Sequence, residues 1–211
     1  MPHPTPERLS GRRAQAARND QLILDSARAV FIADPGAPIT AVAKHAGVGI
    51  SALYSRYGSK EELLRKLCTD GLEKFVAETE AALADGRDHW TVLASYLRRL
   101  VDADTSSMTV SLAGTFTPTE EMFTLAARSG QLLGELVDKV SDVLRPGIST
   151  HDLSVVTELV ASVKEPDPGR TRELRQRYLA VILDGLRAEH VDPLPATPPT
   201  WQEISDRWRA G

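Results

Sequence analysis

The stretch "AVAKHAGVGISALYSRYGSKEELL", residues 41–64, decides how the rest of the chain is read. A short helical pattern stops at Gly47 and resumes at once. It then meets a tyrosine-rich turn at 54–57 and enters an acid-bearing helix start at 59–62. Thr40 stands where an N-cap belongs, opening a helix through about Ala46. Gly47 ends it and supplies a backbone position of positive φ. A second short helix is predicted from about Ile50 to Arg56. Ser59 and Glu62 are spaced as a capping box for a longer helix over about 60–84, broken by "DGRD". Neither short helix is long enough to be stable alone, so the pair must be held by its neighbours.

Ahead of this stretch, Ile23, Ala27, Val30 and Phe31 form one apolar stripe on a helix predicted over roughly 14–33, ended by "ADPGAP". Two short helices joined by a glycine turn behind a longer helix make a helix-turn-helix, whose second helix can enter a DNA major groove. Here that helix is "GISALYSR", residues 49–56. Gly49, Ser51, Ala52 and Ser55 are small enough to let the backbone approach base edges. The hydroxyls of Tyr54 and Tyr57 suit phosphate oxygens, and Lys60 brings a cation to a helix N-terminus. Thr40 offers a hydroxyl from the first short helix, and Ile50, Lys44 and Arg56 complete the candidate DNA-contacting set. Arg12, Arg13 and Arg18 lie within reach of an adjacent minor groove in this reading.

Charge agrees with that assignment. The whole chain has a net charge of −4, with 42% hydrophobic and 26% charged residues, which excludes wholesale disorder. Residues 1–67 hold ten Lys/Arg against six Asp/Glu, a net of +4, and the remainder carries −8. A basic small part on an acidic body suits a polyanion partner for the small part alone. The single cysteine, Cys68, leans toward a reducing compartment. No apolar run is long enough to span a bilayer, and the N-terminus lacks the apolar stretch of a secretory signal. A cytoplasmic location, with no membrane partner, is the expectation.

Beyond residue 66 only helical periodicity is visible. Trp90, Leu93, Leu97 and Leu100 make one stripe, and Leu133, Leu136, Val137, Val140 and Leu144 another. Leu153, Val156, Val160 and Val163 make a third. A helix over about 169–190 contains "YLAVIL", apolar on every side and in need of cover on more than one face. "VDPLPATPPT" reads as a linker, and Trp201, Ile204 and Trp208 mark a short amphipathic piece after it. The chain is therefore expected to be all-α.

"ITAVAKHAGVGISALYSRYGSKEELL" closely resembles the signature of the TetR family of transcriptional regulators. Val42-Ala43, Ala46-Gly47-Val48, Leu53-Tyr54, Tyr57 and Ser59-Lys60-Glu61 fall in the register of that signature, and the preceding helix extends the match to about 20–66. The sequence departs from the family's usual choices at Tyr57, more often Phe, and at Gly49, often Ser. The opening, with prolines at 2, 4 and 6 and then Arg8, Arg12 and Arg13, reads as a flexible basic arm over 1–13; the resemblance implies an operator-binding helix-turn-helix domain over 14–66 and a larger helical domain over 67–211 that dimerises and senses a small-molecule effector. It also implies a ligand-responsive repressor on a palindromic operator, since two helix-turn-helix units at fixed spacing match such a site.

Two sets of residues in the larger domain follow as expectations. Residues 105–119 carry no charge and many hydroxyls, and with Met108, Phe116, Met122 and Phe123, and Trp90 and Tyr96 as aromatic walls, they form the candidate effector pocket. Val156, Val160, Tyr178, Ile182 and Gly185 form the candidate dimer face, with Ala180 and Gly185 permitting close helix approach. An enzyme is not expected. The five histidines are scattered without metal-ligand spacing, and no phosphate loop or nucleophile motif appears, so no cofactor or metal is assigned. The alternative readings are a helical protein-interaction module and an activator without a small-molecule effector.

Overall fold

The computed structural model describes residues 6–112, 114–189 and 192–206. The described residues form ten helices and no strands, so the chain is all-α as its periodicity implied. The chain divides into two units, Met1–Leu67 and Cys68–Gly211.

In the first unit, α1 (Pro6–Ala33) packs on α2 (Ile39–Ala46), which packs in turn on α3 (Ile50–Arg56). The first two turns of α4 (Lys60–Ala84) complete it. The core collects Ile23, Ala27 and Phe31 from α1, Val42, Ala43 and Ala46 from α2, Leu53 from α3, and Leu63, Leu64 and Leu67 from α4. Leu53 is the one residue α3 buries, so that short helix is anchored by a single knob, with Ile50 half-buried and its other side chains exposed. α1 begins at Pro6, well before the predicted start at 14. Residues 1–5 of the expected arm, and the side chains of Arg8, Arg12 and Arg13, lie outside the described part.

Three local features tune this unit. Gly47 adopts φ +66°, and the Val48 N–H donates to Ala43 O at 3.0 Å while the Gly47 N–H donates to Lys44 O at 3.3 Å. This pairing closes a helix on a left-handed residue and reverses the chain in one step. Thr40 does not cap α2. Pro38 holds the cap position, with no side chain to serve the first amides, and Thr40 lies inside the first turn. Proline's fixed φ makes it a good entry residue, which moves the helix start earlier than a hydroxyl-based expectation places it. The Ser59 hydroxyl accepts from the Glu62 N–H at 3.1 Å, but the Glu62 carboxylate accepts from the Gly58 N–H at 2.8 Å, so the capping box closes one residue early.

Replacing Gly47 by alanine should lower the stability of this unit by about 1 kcal/mol, because the left-handed backbone disfavours a Cβ by that order. A Cβ there meets nothing within 4 Å, so the cost is one of backbone conformation rather than packing. Hydrogen exchange of the α2 and α3 amides would read it, with Gly47→Asn losing less.

In the second unit α8 (Thr150–Ala161) is central, packing against α5 (His89–Asp102), α6 (Thr105–Leu112), α7 (Glu120–Lys139) and α9 (Pro168–Gly185). The core is built from Leu93, Tyr96, Leu97 and Leu100 of α5, Leu133, Leu136 and Val140 of α7, Leu153 and Val160 of α8, and Leu179 and Leu183 of α9. α9 ends at Gly185, short of the predicted 190. The chain there turns to pair with residues 143–145: Arg145 N–H donates to Leu186 O at 2.8 Å and Ala188 N–H to Val143 O at 3.0 Å. Lys139 closes the end of α4 by donating to the carbonyls of Ala82, Leu83 and Asp85 at 3.2, 2.9 and 2.7 Å. A cation belongs at a helix C-terminus, where unpaired carbonyls gather negative charge. α10 (Trp201–Ser205) follows the proline-rich segment and opens with a Thr200–Glu203 capping box. Trp208, expected to extend its apolar side, lies outside the described residues.

Candidate nucleic-acid interface and effector cavity

The surface of the first unit presents most of the expected DNA-contacting set. Thr40, Lys44, Gly49, Ser51, Ala52, Tyr54, Ser55 and Arg56 are exposed, and Ile50, Tyr57 and Lys60 are half-buried. Because Leu53 points inward, Ser51, Ala52, Tyr54 and Ser55 are left on the outer side of α3. Gly49 is the N-cap of α3 and brings no capping side chain, so the first amides of that helix stay open, as do those of α2 behind Pro38. Open helix N-termini favour anions such as phosphate. The small Gly49, Ser51 and Ala52 keep bulk away from that edge.

The cations differ in their commitments. Lys44 is exposed near the C-terminus of α2. Arg56 is paired with Asp20 of α1, so part of its charge is already neutralised. The Lys60 ammonium donates to Pro35 O at 2.9 Å and lies 5.1 Å above the centre of the Phe31 ring. That lysine therefore fixes the turn between α1 and α2, a role its sequence position did not announce. Arg18 donates to Gln15 one turn away on the exposed surface of α1.

The second unit holds an open cavity of about 650 Å³, within the range of small-molecule sites. Its walls come from α4 (Cys68, Gly71, Leu72 and Phe75), α7 (Met122, Phe123, Gly130 and Leu133) and α8 (His151, Ser154 and Glu158), with Met108 of α6. Trp201 and Ile204 of α10 complete them, so the chain past the proline-rich segment returns to the cavity rather than trailing from the fold. Burial pushes the Cys68 thiol up to about 12, so it remains protonated and serves as small apolar wall.

Of the expected pocket residues, Met108, Met122 and Phe123 line this cavity. Tyr96, Trp90 and Phe116 do not. Tyr96 is fully buried behind Phe75, with ring centres 6.2 Å apart, edge to face. Since Thr79 Oγ1 donates to Phe75 O at 2.8 Å, the Tyr96 hydroxyl donates to Thr79 at 3.0 Å. Trp90 lies under the Arg187 guanidinium at 4.2 Å from the ring centre. Phe116 is buried outside the cavity wall. An aromatic residue on an apolar stripe is as well suited to core packing as to a ligand wall, and periodicity does not separate the two. The contributions of α4 and α8 were missed because half-polar helix faces carry no signal of their own.

The candidate dimer face needs a similar correction. Val160 is 1% exposed and belongs to the protomer's own core, so it cannot meet a second chain. Val156 and Ile182 are half-buried, and Ile182 packs on that core. Tyr178 and Gly185 are exposed, and they are joined by Leu159 at 58% and Val181 at 68% exposure, two residues the sequence reading left out. Positions 178, 181 and 185 share one side of α9 at helical spacing. Beneath them Arg175, 7% exposed, ties α9 to its neighbours. It donates to Asp104 Oδ1 at 2.6 Å, Ser107 Oγ at 3.1 Å, Ala161 O at 2.6 Å and Val163 O at 3.0 Å.

Among the described residues no helix is long and apolar enough to cross a membrane, and no cluster of metal-ligating side chains occurs. Residues 23–67 match the sequence profile of the bacterial regulatory proteins, tetR family. No curated protein matches the chain. Among solved structures, the chain is similar to the TetR transcriptional regulator SCO0520 from Streptomyces coelicolor, at 24% identity and a TM-score of 0.54, covering 79% of this chain and 97% of that one. It is also similar to the TetR-like regulator LfrR from Mycobacterium smegmatis in complex with proflavine, at 20% identity and 0.62, covering 84% and 99%. The ketosteroid regulator KstR2 of Mycobacterium tuberculosis aligns at 17% identity and 0.60, covering 81% and 95%. At these identities the likeness is one of fold.

Proposed function

We propose, from the match of residues 23–67 to the bacterial regulatory proteins, tetR family, and from the likeness of fold, that this chain is a TetR-family transcriptional regulator. It binds a palindromic operator as a homodimer, represses from that site, and releases it when a small molecule fills the cavity of the second unit. Regulators of this family are not enzymes, and no catalytic role is assigned. The proposed domains are the operator-binding part over 14–66 and the effector and dimer part over 67–211.

The observation that carries the DNA reading is the outer surface of α3 with the open amide ends of α2 and α3 beside it. Thr40, Tyr54, Tyr57 and Lys60 hold the phosphate backbone in this reading, while Gly49, Ile50, Ser51, Ala52 and Ser55 approach the bases. Lys44 and Arg56 add charge at the rim. Lys60 keeps the α1–α2 turn in shape while its ammonium meets phosphate, which couples the local fold to the contact.

Homodimerisation is supported by the exposed apolar residues Leu159, Tyr178 and Val181, an unusual set for a helix pair facing water. A second copy of the same face covers them isologously, in keeping with a two-fold operator. The cavity supports the effector reading. A ligand shifts the operator equilibrium only through its different affinity for the bound and released conformations, here a change in the separation of the two recognition helices.

The test is selection of bound sequences from a random duplex library, followed by affinity measurement at two salt concentrations. A palindrome is expected, with log affinity falling against log salt by roughly 0.9 for each phosphate neutralised. Folded protein that enriches no sequence and binds without salt dependence would overturn the operator reading, and the protein-interaction alternative would replace it.

A further inference from the structure

The cavity's hydroxyls are already oriented, and their orientation points to one class of ligand. Ser154 and Thr157 line it from α8 at i and i+3, on one side of that helix. The Ser154 hydroxyl donates to Thr150 O at 3.2 Å, and the Thr157 hydroxyl donates to Ser154 O at 2.8 Å. Two further lining hydroxyls do the same: Ser129 of α7 donates to Ala126 O at 2.8 Å, and Thr105 of α6 to Leu100 O at 3.3 Å. A hydroxyl has a single proton and a pair of acceptor sites. These hydroxyls have returned the proton to their own backbone, so what remains for a ligand is acceptor capacity. Ser106 and Thr150 add hydroxyls that can turn either way, and a His151 ring nitrogen can donate or accept.

Fixed charge offers a ligand less. Among the described lining residues no lysine or arginine occurs, and the one carboxylate, Glu158, is already engaged with another group. The N-terminus of α8 is served from within. There the Ser149 hydroxyl accepts from the Asp152 N–H at 3.2 Å, and the Asp152 carboxylate accepts from the Ser149 N–H at 2.7 Å. A carboxylate of the chain thus stands at the helix end that would otherwise draw an anion. An ionic head group would shed its water here with no lysine, arginine or free carboxylate to replace it.

We infer that the cavity takes an uncharged lipophile bearing a hydrogen-bond donor, such as an alcohol, a phenol or an amide N–H. The donor meets the oxygens of Ser154 and Thr157, and the body lies on the apolar walls of α4, α7 and α10. This deepens the effector reading of the cavity and rests on it. An ether or ester oxygen in the donor's place meets lone pairs, unless a hydroxyl abandons its carbonyl to turn outward. The volume of about 650 Å³ accommodates a body of drug-like size.

The experiment titrates four probes calorimetrically into the full chain: octanol, its isomer heptyl methyl ether, octylammonium and octanoate. Octanol is expected to bind about fivefold more tightly than the ether, the gain of one net hydrogen bond. It should do so although the ether, lacking a donor, has less hydration to lose. Both ions should bind more weakly than octanol. The double variant Ser154→Ala, Thr157→Val should bring octanol to within about twofold of the ether and leave the ether unchanged. Ser154→Ala alone, at the half-buried position, should narrow the gap in the same direction if the double variant fails to fold. Gly71→Leu should weaken every probe and so place binding in the cavity, since a Cβ at that lining position meets nothing within 4 Å and the side chain takes up open space. The ether binding as tightly as octanol overturns the inference. So does a donor preference that survives both hydroxyl variants, an ion that outbinds octanol, or affinity indifferent to Gly71→Leu. Binding by none of the four overturns the inference together with the cavity's role. Saturation with octanol that leaves operator-binding anisotropy unchanged overturns only the effector reading, and the donor-selective site stands.

Discussion

Tyr54→Ala should weaken operator binding by roughly 10²- to 10⁴-fold on every duplex tested, not at one base position. A hydroxyl bound to a charged phosphate contributes about 1.5–3 kcal/mol, and a dimer carries two copies, about 3–6 kcal/mol in all. Tyr54 is 47% exposed on α3, so its ring is not part of the core and the fold should survive the change. Tyr54→Phe separates hydroxyl from ring and should account for most of the loss. The companion substitution is Lys60→Met, which keeps an apolar stem over Phe31 while removing the ammonium. It should reduce the salt slope of a dimer by about 2, one phosphate for each subunit. Both Lys60→Met and Lys60→Ala strip Pro35 O of its donor, but alanine also removes the apolar stem over Phe31 and is the poorer test. Affinities and slopes unchanged in both Tyr54→Phe and Lys60→Met would remove these side chains from the interface.

Arg175→Leu is expected to destabilise the second unit by about 3 kcal/mol. Losing one partner of a buried ion pair typically costs about 3–5 kcal/mol, because the other charge stays behind uncompensated. The lower end applies, since the Asp104 side chain is 33% exposed and can recover some hydration. The carbonyls of Ala161 and Val163 lose their donor as well, at the end of α8 and just beyond it. Against a total stability of about 5–15 kcal/mol, that is a large fraction. Chemical denaturation of the full chain, followed by near-ultraviolet signals of the second unit, would measure it. Asp104→Asn should cost less. Asp104 has φ +53°, a conformation asparagine tolerates, and asparagine can still accept from the guanidinium. Because Arg175 holds α9 from beneath Tyr178, the same loss should weaken self-association, with a sedimentation profile shifted toward monomer.

The first unit was largely legible because its determinants are local. Gly47 had to adopt positive φ, Leu53 had to point inward for Tyr54 to point out, and the start of α4 is written in Ser59 and Glu62. These depend on residues within a turn of one another, and the motif at 41–64 carries them together. Even there the local reading slipped where two cues competed: Pro38 rather than Thr40 begins α2, and Glu62 reaches Gly58 instead of Ser59.

In the second unit the sequence determined that there are helices and roughly where they run. Tertiary packing alone decided what each face meets. Tyr96 and Val160 lie on apolar stripes consistent with a pocket or an interface, and both proved to be core. Leu159 and Val181 on the same helix pair proved to be surface. Helical periodicity reports which side of a helix is apolar. It is silent on whether that side faces the protomer, a cavity or a second chain, since burial in any of them draws on the same hydrophobic free energy. The cavity is the extreme case: its walls come from residues as far apart as Cys68 and Ile204, and only the folded chain brings them together.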